Sequence, residues 1–145
     1  MKVVKFTVPG EPFGKQRPRV VSRGNISKAY TPKETVQYEN LVKICYRQAA
    51  KGYMFPNEAM LDVRIIAYYS IPKSVSKKKR NEMLSRKIRP TKRPDLDNIA
   101  KCVCDSINGI AYKDDASIVD IQVRKFYAET PGVYVIIKEV SDEKE

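Results

Sequence analysis

Five aspartates lie within 21 residues of a chain that is otherwise strongly basic. They are Asp95, Asp97, Asp105, Asp114 and Asp115. Two carboxylates held about 5 Å apart repel each other by roughly 3 kcal/mol at an effective dielectric constant near 20. A fold that gathers several of them needs a compensating cation, and hard divalent cations take carboxylate oxygens as ligands. The pattern therefore indicates a metal site, and the ordinary alternative is that these aspartates are helix caps, turn residues and solvated ion-pair partners.

The chain contains no histidine, which excludes several classes of enzyme. Ser-His-Asp and Cys-His nucleophile systems need an imidazole, as do most zinc hydrolases. No glycine-rich phosphate loop is present either. Cys102 and Cys104 are spaced too closely for a usual zinc pair, and together with Cys45 we expect them to be buried, reduced thiols of a cytoplasmic protein. An enzyme built from this chain must use carboxylates, lysines and a metal ion.

The residues around Asp95 and Asp97 do not fit two other aspartate-containing motifs. An EF-hand loop that began at Asp95 would need an oxygen ligand, a glycine and a glutamate where the chain has Ile99, Ala100 and Ser106. A phosphoaspartyl Asp-x-Asp normally follows an apolar strand, whereas a basic loop broken by proline precedes this one. What remains is a magnesium site that serves phosphodiester chemistry.

The net charge of +11 favours an anionic partner, nucleic acid first and an anionic membrane second. Two segments carry most of the surplus: 14–33 has six basic residues and no acid, and 73–93 has ten basic residues against one glutamate. Either could be only a solvated surface. The residues expected to contact DNA phosphates are Lys15, Arg17, Arg19, Arg23, Lys77, Lys78, Lys79, Arg80, Lys92 and Arg93.

The aspartates need a helix to position them. Apolar residues recur at helical spacing after Pro94, namely Leu96, Ile99, Ala100, Val103 and Ile107. Gly109 supplies a stop signal. Asp97, Lys101 and Asp105 form a second stripe on the same helix. This places Asp95 at the helix entrance and the two later aspartates beyond its exit, which predicts an acidic cage with a lysine beside it.

The remaining elements predict an α+β fold of one domain over residues 1–145. Expected strands cover 2–8, 60–71, about 119–127 and 133–140, with the last two forming an antiparallel hairpin. A helix opens at Thr31-Pro32 and runs to about Lys51, and a short surface helix is expected within 73–93. The order β-α-β-(α)-α-β-β indicates a mixed four-stranded sheet with helices packed on one face. No apolar run approaches the ~18 residues of a membrane span, and no signal-peptide pattern opens the chain.

These residues resemble a known family. Arg93-Pro94-Asp95-Leu96-Asp97-Asn98 with Lys101 and Asp105, followed by Tyr112-Lys113-Asp114-Asp115, resembles the RusA-type Holliday junction resolvases. The Lys15 to Arg19 segment with Tyr30-Thr31-Pro32 is similar to their phage-borne Gram-positive members, and Asp120 and Lys125 also fit. The resemblance covers nearly the whole chain.

The resemblance implies a dimeric, magnesium-dependent endonuclease that cuts two opposed strands of a four-way DNA junction, with Mn²⁺ as a substitute for Mg²⁺. It implies that Asp95, Asp97 and Asp115 are essential carboxylates and Lys101 an essential lysine. Asp114 is the acidic neighbour and joins the expected metal ligands. Two other functions remain open: a non-catalytic basic DNA-binding module, and a nuclease for flaps or other branched DNA.

Overall fold

The computed structural model describes residues 2–15, 19–30 and 32–140, without the side chains of residues 19, 21 and 26–30. Its elements confirm the predicted α+β class, with one additional hairpin near the N-terminus. In chain order they are β1 (Val3–Pro9), β2 (Arg19–Arg23), β3 (Ile26–Tyr30), α1 (Lys33–Ala50), β4 (Leu61–Ser70), α2 (Lys77–Leu84), α3 (Leu96–Ser106), a short 3-10 turn (Asp115–Ser117), β5 (Ile118–Ala128) and β6 (Gly132–Glu139).

The main sheet is mixed and has the strand order β1-β6-β4-β5. Strand β6 is antiparallel to both β1 and β4, whereas β5 is parallel to β4. The predicted hairpin between β5 and β6 is therefore wrong, because β4 lies between them. Parallel neighbours need a long crossover, and the chain supplies one here through α2 and α3. Every second residue of strand β4 is buried, and most of the residues between them are at least half-buried, as suits a strand inside the sheet.

One face of this sheet packs on α1 and α3 and forms the core. The sheet contributes Val4, Phe6, Val8, Val63, Ile65, Ala67, Val133, Val135 and Ile137, all buried. From α3 come Ile99, Val103 and Ile107, as the helical spacing predicted. The expected core position of Leu96 is wrong, since this side chain is 43% exposed.

The smaller elements agree with the sequence pattern in part. Gly24 and Asn25, a residue pair typical of turns, connect β2 to β3, which pair antiparallel with Arg23 opposite Ile26. Helix α1 follows Pro32, which makes no side-chain capping bond; the expected Thr31 cap lies outside the described residues. Helix α2 is short, as predicted, and buries only Met83. None of the helices in the described ranges has the length and apolar content that crossing a bilayer requires.

The three cysteines are free thiols of low expected reactivity. Cys102 and Cys104 are buried in α3, and burial raises the pKa of Cys102 to about 12 and of Cys104 to about 11. Cys45 is half-buried rather than buried, and burial raises its pKa too. Because the thiolate is the reactive form, we expect Ellman's reagent at pH 8 to modify Cys45 first and the α3 pair only slowly. All three should react at once in denaturant, and rapid native labelling of a Cys45→Ser variant would contradict this.

Candidate active site at the entrance of helix α3

The loop that leads into α3 is fastened to the end of strand β4. Tyr69, which is buried near the end of β4, donates a hydrogen bond from its hydroxyl to the Pro94 carbonyl at 2.6 Å. Burial raises the pKa of Tyr69 to about 12, so the hydroxyl keeps its proton and remains a donor. The Arg93–Pro94 peptide bond is cis. The Tyr69 hydrogen bond holds Asp95 at the end of the sheet where β4 finishes.

The carboxylates of Asp95 and Asp97 are both exposed at the start of α3. Asp95 occupies the N-cap position with extended backbone angles, yet its side chain makes no capping hydrogen bond. Capping is the ordinary role of an aspartate at this position, so its absence argues against the purely structural interpretation. Neither carboxylate forms a hydrogen bond or ion pair with a residue in the described ranges. Both are therefore available to an external ligand.

A cleft of about 700 Å³ opens beside Asp95 where the segment 12–15 crosses the start of α3. The backbone N–H of Lys15 donates to the Asn98 carbonyl at 3.4 Å. A Cβ atom placed on Gly14 would lie only 2.8 Å from the Pro94 Cβ, so this close approach requires glycine. The cleft is lined by Pro12, Phe13, Gly14, Lys15, Arg93, Pro94, Asp95 and Asn98. It thus places a carboxylate and a guanidinium group on the wall of one opening, which suits a phosphodiester with a bound cation.

Lys15 is engaged in ion pairs inside the protein. Its Nζ lies 2.7 Å from Asp105 Oδ2 and 3.7 Å from Glu39 Oε2. The hydrogen bond to Asp105 raises the pKa of Lys15. Asp105 also lies 3.6 Å from the Nζ of Lys101. Lys15 and Asp105 therefore fasten the segment before β2 to α1 and α3, and the predicted contact of Lys15 with DNA remains a prediction that this pairing does not favour.

Two lysines lie close to the aspartates. Lys101 follows Asp97 by one helical turn, and its side chain is 64% exposed. Lys125 on β5 donates from its Nζ to the Lys92 carbonyl at 2.5 Å and lies over the Tyr69 ring. Burial lowers the pKa of Lys125, and the charge of Asp95 opposes that shift. The family resemblance includes Lys125, but the strand alternation of β5 does not place it near Asp95; the packing of β5 beside β4 does.

Asp114 and Asp115 lie at the opposite end of α3. The carboxylate of Asp114 accepts a hydrogen bond from Ala116 N at 3.3 Å and caps the 3-10 turn. The backbone N–H of Asp115 donates to Asn108 Oδ1 at 3.0 Å, and its carboxylate has no partner in the described part of the chain. Strand β5, which follows Asp115 directly, begins opposite Leu61 at the start of β4. Asp95 lies where β4 ends. The two pairs of aspartates are therefore at opposite ends of β4.

One chain therefore does not assemble the predicted acidic cage. From Asp97 to the end of α3 the helix axis rises by about 14 Å, at 1.5 Å per residue. Among residues 2–15, 19–30 and 32–140, no group of three or more aspartate, glutamate or cysteine side chains is close enough to hold a metal ion. The entrance pair of Asp95 and Asp97 is one cluster, and Asp115 belongs to another.

The residues predicted to contact DNA lie in several separate parts of the fold. Lys77, Lys78 and Lys79 are exposed at the start of α2, while Arg80 lies 3.4 Å from Glu129. Lys92 and Arg93 are exposed directly before the candidate active site. Arg23 is exposed at the tip of the β2–β3 hairpin. Of Arg19 only the backbone in β2 is described, and Arg17 lies outside the described residues.

The role of the exposed lysines of α2 in DNA binding can be tested by substitution. If Lys77, Lys78 and Lys79 contact phosphates, changing all three to glutamine should flatten the dependence of log K on log salt concentration. The slope should lose about 0.9 for each phosphate contact that disappears. A titration of labelled DNA at several salt concentrations measures this slope. The matched control changes three exposed lysines elsewhere, Lys2, Lys5 and Lys51. Equal slopes in the two triple variants would show that the start of α2 is only a solvated surface.

Comparison with known proteins shows the family of this chain. The family profile of Endodeoxyribonuclease RusA matches residues 9–138, a region that contains α3 and both pairs of aspartates. The chain is also 38% identical over 143 residues to the uncharacterized protein YqaN of Bacillus subtilis (strain 168). That similarity covers 97% of this chain and 99% of YqaN.

Proposed function

Because the chain belongs to the RusA endodeoxyribonuclease family, we propose that it is a magnesium-dependent nuclease that resolves four-way DNA junctions by paired cuts. Family membership supports nuclease activity on Holliday junctions in recombination. One observation supports metal dependence. The carboxylates of Asp95 and Asp97 are exposed and form no hydrogen bond or ion pair with a residue that the structure describes, although the chain has a net charge of +11. We expect this activity in the cytoplasm.

The entrance pair fits the way in which proteins bind magnesium. Mg²⁺ is usually held by one or two carboxylates together with waters and substrate phosphates, rather than by a closed cage of protein ligands. Asp95 lies on the wall of an open cleft, and Asp97 is exposed two residues later in the first turn of α3. When bound, the ion would lower the pKa of an attacking water and stabilise charge on the phosphodiester oxygens. Mn²⁺ prefers the same oxygen ligands and should substitute.

The basic residues around the cleft have separate roles in this proposal. Lys92 and Arg93 would hold the DNA backbone where the aspartates begin. The ammonium group of Lys101, one turn after Asp97, would offset the negative charge that develops on the phosphate during displacement. Lys125 would keep the loop before Asp95 in place through its hydrogen bond to the Lys92 carbonyl.

Two considerations, the chemistry and the separation of the acids, support a homodimer. Two opposed cuts call for two active sites, and a two-fold dimer provides them most simply. Within one chain, Asp115 lies about a helix length from Asp97, which is too far for both to share an ion. We therefore propose that Asp115 of the partner subunit completes the site at Asp95 and Asp97, and that Asp114 chiefly orders the turn before it.

The direct test is incubation of the purified protein with a labelled four-way junction, with Mg²⁺ or with EDTA. The proposal expects symmetric paired nicks in Mg²⁺ and none in EDTA. Binding without cleavage under all metal conditions would instead support a DNA-binding module. Faster cleavage of a flap or a fork than of the four-way junction would support a nuclease for other branched DNA.

A further inference from the structure

Three arginines converge on one buried aromatic ring in strand β5. The guanidinium carbons of Arg86, Arg89 and Arg124 lie 4.3, 4.4 and 4.8 Å from the centroid of the Phe126 ring. Any two of them are thus within about 9 Å of each other. Phe126 is only 2% exposed, although it is not part of the main core cluster. The arginines therefore bury this ring and share it as a common platform.

The platform lies on the sheet face opposite α1 and α3. Side chains alternate between the two faces along a strand, and the neighbouring Lys125 reaches the Tyr69 ring on the helical side. Phe126 consequently points to the other face, next to Tyr68. The three arginines come from the segment after α2 and from β5 itself, so they lie at the edge of the sheet.

No carboxylate neutralises these three charges in the described part of the chain. The ion pairs found there involve other residues. Arg89 donates from its Nε to the Lys125 carbonyl at 2.9 Å and retains its terminal N–H groups, whereas the guanidinium groups of Arg86 and Arg124 make no hydrogen bond with a described residue. Stacking on an aromatic face occupies the plane of a guanidinium group and leaves its N–H donors free for a phosphate. Three like charges this close together attract an anion to this part of the surface.

Arg86 also has an unusual backbone conformation. Its φ is +69°, in the left-handed region that favours glycine, and it terminates α2. The N–H groups of Arg86 and Lys87 bond back to carbonyls of α2, as in helix ends where glycine is the common residue. Glycine is therefore a substitution that the backbone accepts at this position.

The arginine platform is connected to the candidate active site. A cleft of about 290 Å³ is lined by Arg89, Pro90, Leu96 and Lys125. Leu96, which is exposed, lies between Asp95 and Asp97 and joins this cleft to the helix entrance. A DNA strand that passes the two aspartates and continues around the edge of β5 would meet the arginines next.

We propose that Arg86, Arg89 and Arg124, gathered around Phe126, form a binding site for the phosphates of the DNA strand that leaves the active site around the edge of β5. This inference rests on the proposed function. The site would position one arm of the junction without reading its sequence, because phosphate contacts carry no base information.

The test uses Arg86→Gly and Arg124→Gln in the full-length protein, with labelled four-way junction in EDTA as the probe. We expect each change to weaken binding by about tenfold, as for loss of one charge-assisted hydrogen bond. The salt slope should also lose about 0.9. The melting temperature of Arg86→Gly should stay close to that of wild type, because the better fit of glycine to the left-handed backbone offsets the lost contact with the Phe126 ring. Arg47→Gln, an exposed arginine on α1, is the matched control and should bind as wild type.

The outcomes separate this inference from the proposed function. If wild type cleaves the junction but both platform variants bind it with wild-type affinity and slope, the arginines only cover Phe126 and the inference is wrong. The same conclusion holds if binding falls only in proportion to a lower melting temperature. If wild type neither binds nor cleaves the junction, the proposed function itself has failed.

Discussion

Changing Asp97 to asparagine should abolish junction cleavage while leaving junction binding intact or tighter. The change removes a metal-ligand charge at the entrance of α3 without touching the cationic surface. We expect a loss on the order of 10³-fold in the cleavage rate, the scale seen when a key electrostatic group is removed from an active site. Single-turnover cleavage of a labelled four-way junction in Mg²⁺ measures the rate, and a gel-shift titration in EDTA measures binding.

The same experiment distinguishes the individual aspartates. Asp95→Asn and Asp115→Asn should be as inactive as Asp97→Asn. Asp114→Asn should retain more activity, because its carboxylate caps the 3-10 turn and an asparagine side chain can do the same. Glu58→Gln, an exposed acid in the loop before β4, serves as the control. Cleavage near the wild-type rate by Asp95→Asn or Asp97→Asn would show that the residue is not a ligand.

Divalent cations should raise the melting temperature of the protein in the absence of DNA. Binding to the folded state alone contributes about 2.7 kcal/mol at a hundredfold excess over the dissociation constant. For a domain of this size that corresponds to several degrees, at ~2–4 °C per kcal/mol. The shift should be much smaller in Asp97→Asn. Without metal, this variant should melt slightly above wild type, because one of two neighbouring negative charges is gone. Thermal unfolding across millimolar Mg²⁺ or Mn²⁺ measures both effects.

The dependence of this shift on protein concentration tests the proposed dimer. If Asp115 of the partner subunit contributes to the site, metal binding and dimer formation are linked, and the shift should grow with protein concentration. Asp115→Asn should then lose the shift as Asp97→Asn does. If wild type, Asp97→Asn and Asp115→Asn respond identically to Mg²⁺, these aspartates do not form a metal site. A non-catalytic DNA-binding module would then be the better explanation.

Much of the site follows from local sequence alone. The 3.6-residue spacing of Ile99, Val103 and Ile107 determines that α3 exists and which of its faces is buried. The position of Pro94 before that stretch places Asp95 at the helix entrance and Asp97 in its first turn. The two apolar faces of β4 likewise predict its interior position in the sheet. These features depend on residues within one or two turns of each other, so periodicity is sufficient to read them.

The parts that depend on distant residues could not be read in this way. Lys15 and Asp105 are 90 positions apart, and only the packing of the segment 12–15 on α3 brings them into an ion pair. Strand β5 carries the alternation that any half-buried strand shows, and this pattern does not reveal whether its neighbour is β4 or β6. The parallel pairing with β4 is decided by the crossover through α2 and α3.

The clearest division concerns charge. The sequence alone determined that this protein has a large positive net charge and that five aspartates lie close together along the chain. The tertiary structure decided how these charges combine. It separates the entrance aspartates from Asp115 by the length of a rigid helix, and it gathers three arginines of different segments on Phe126. Electrostatic energy depends on distance in space, and between elements that distance is set by packing rather than by position along the chain.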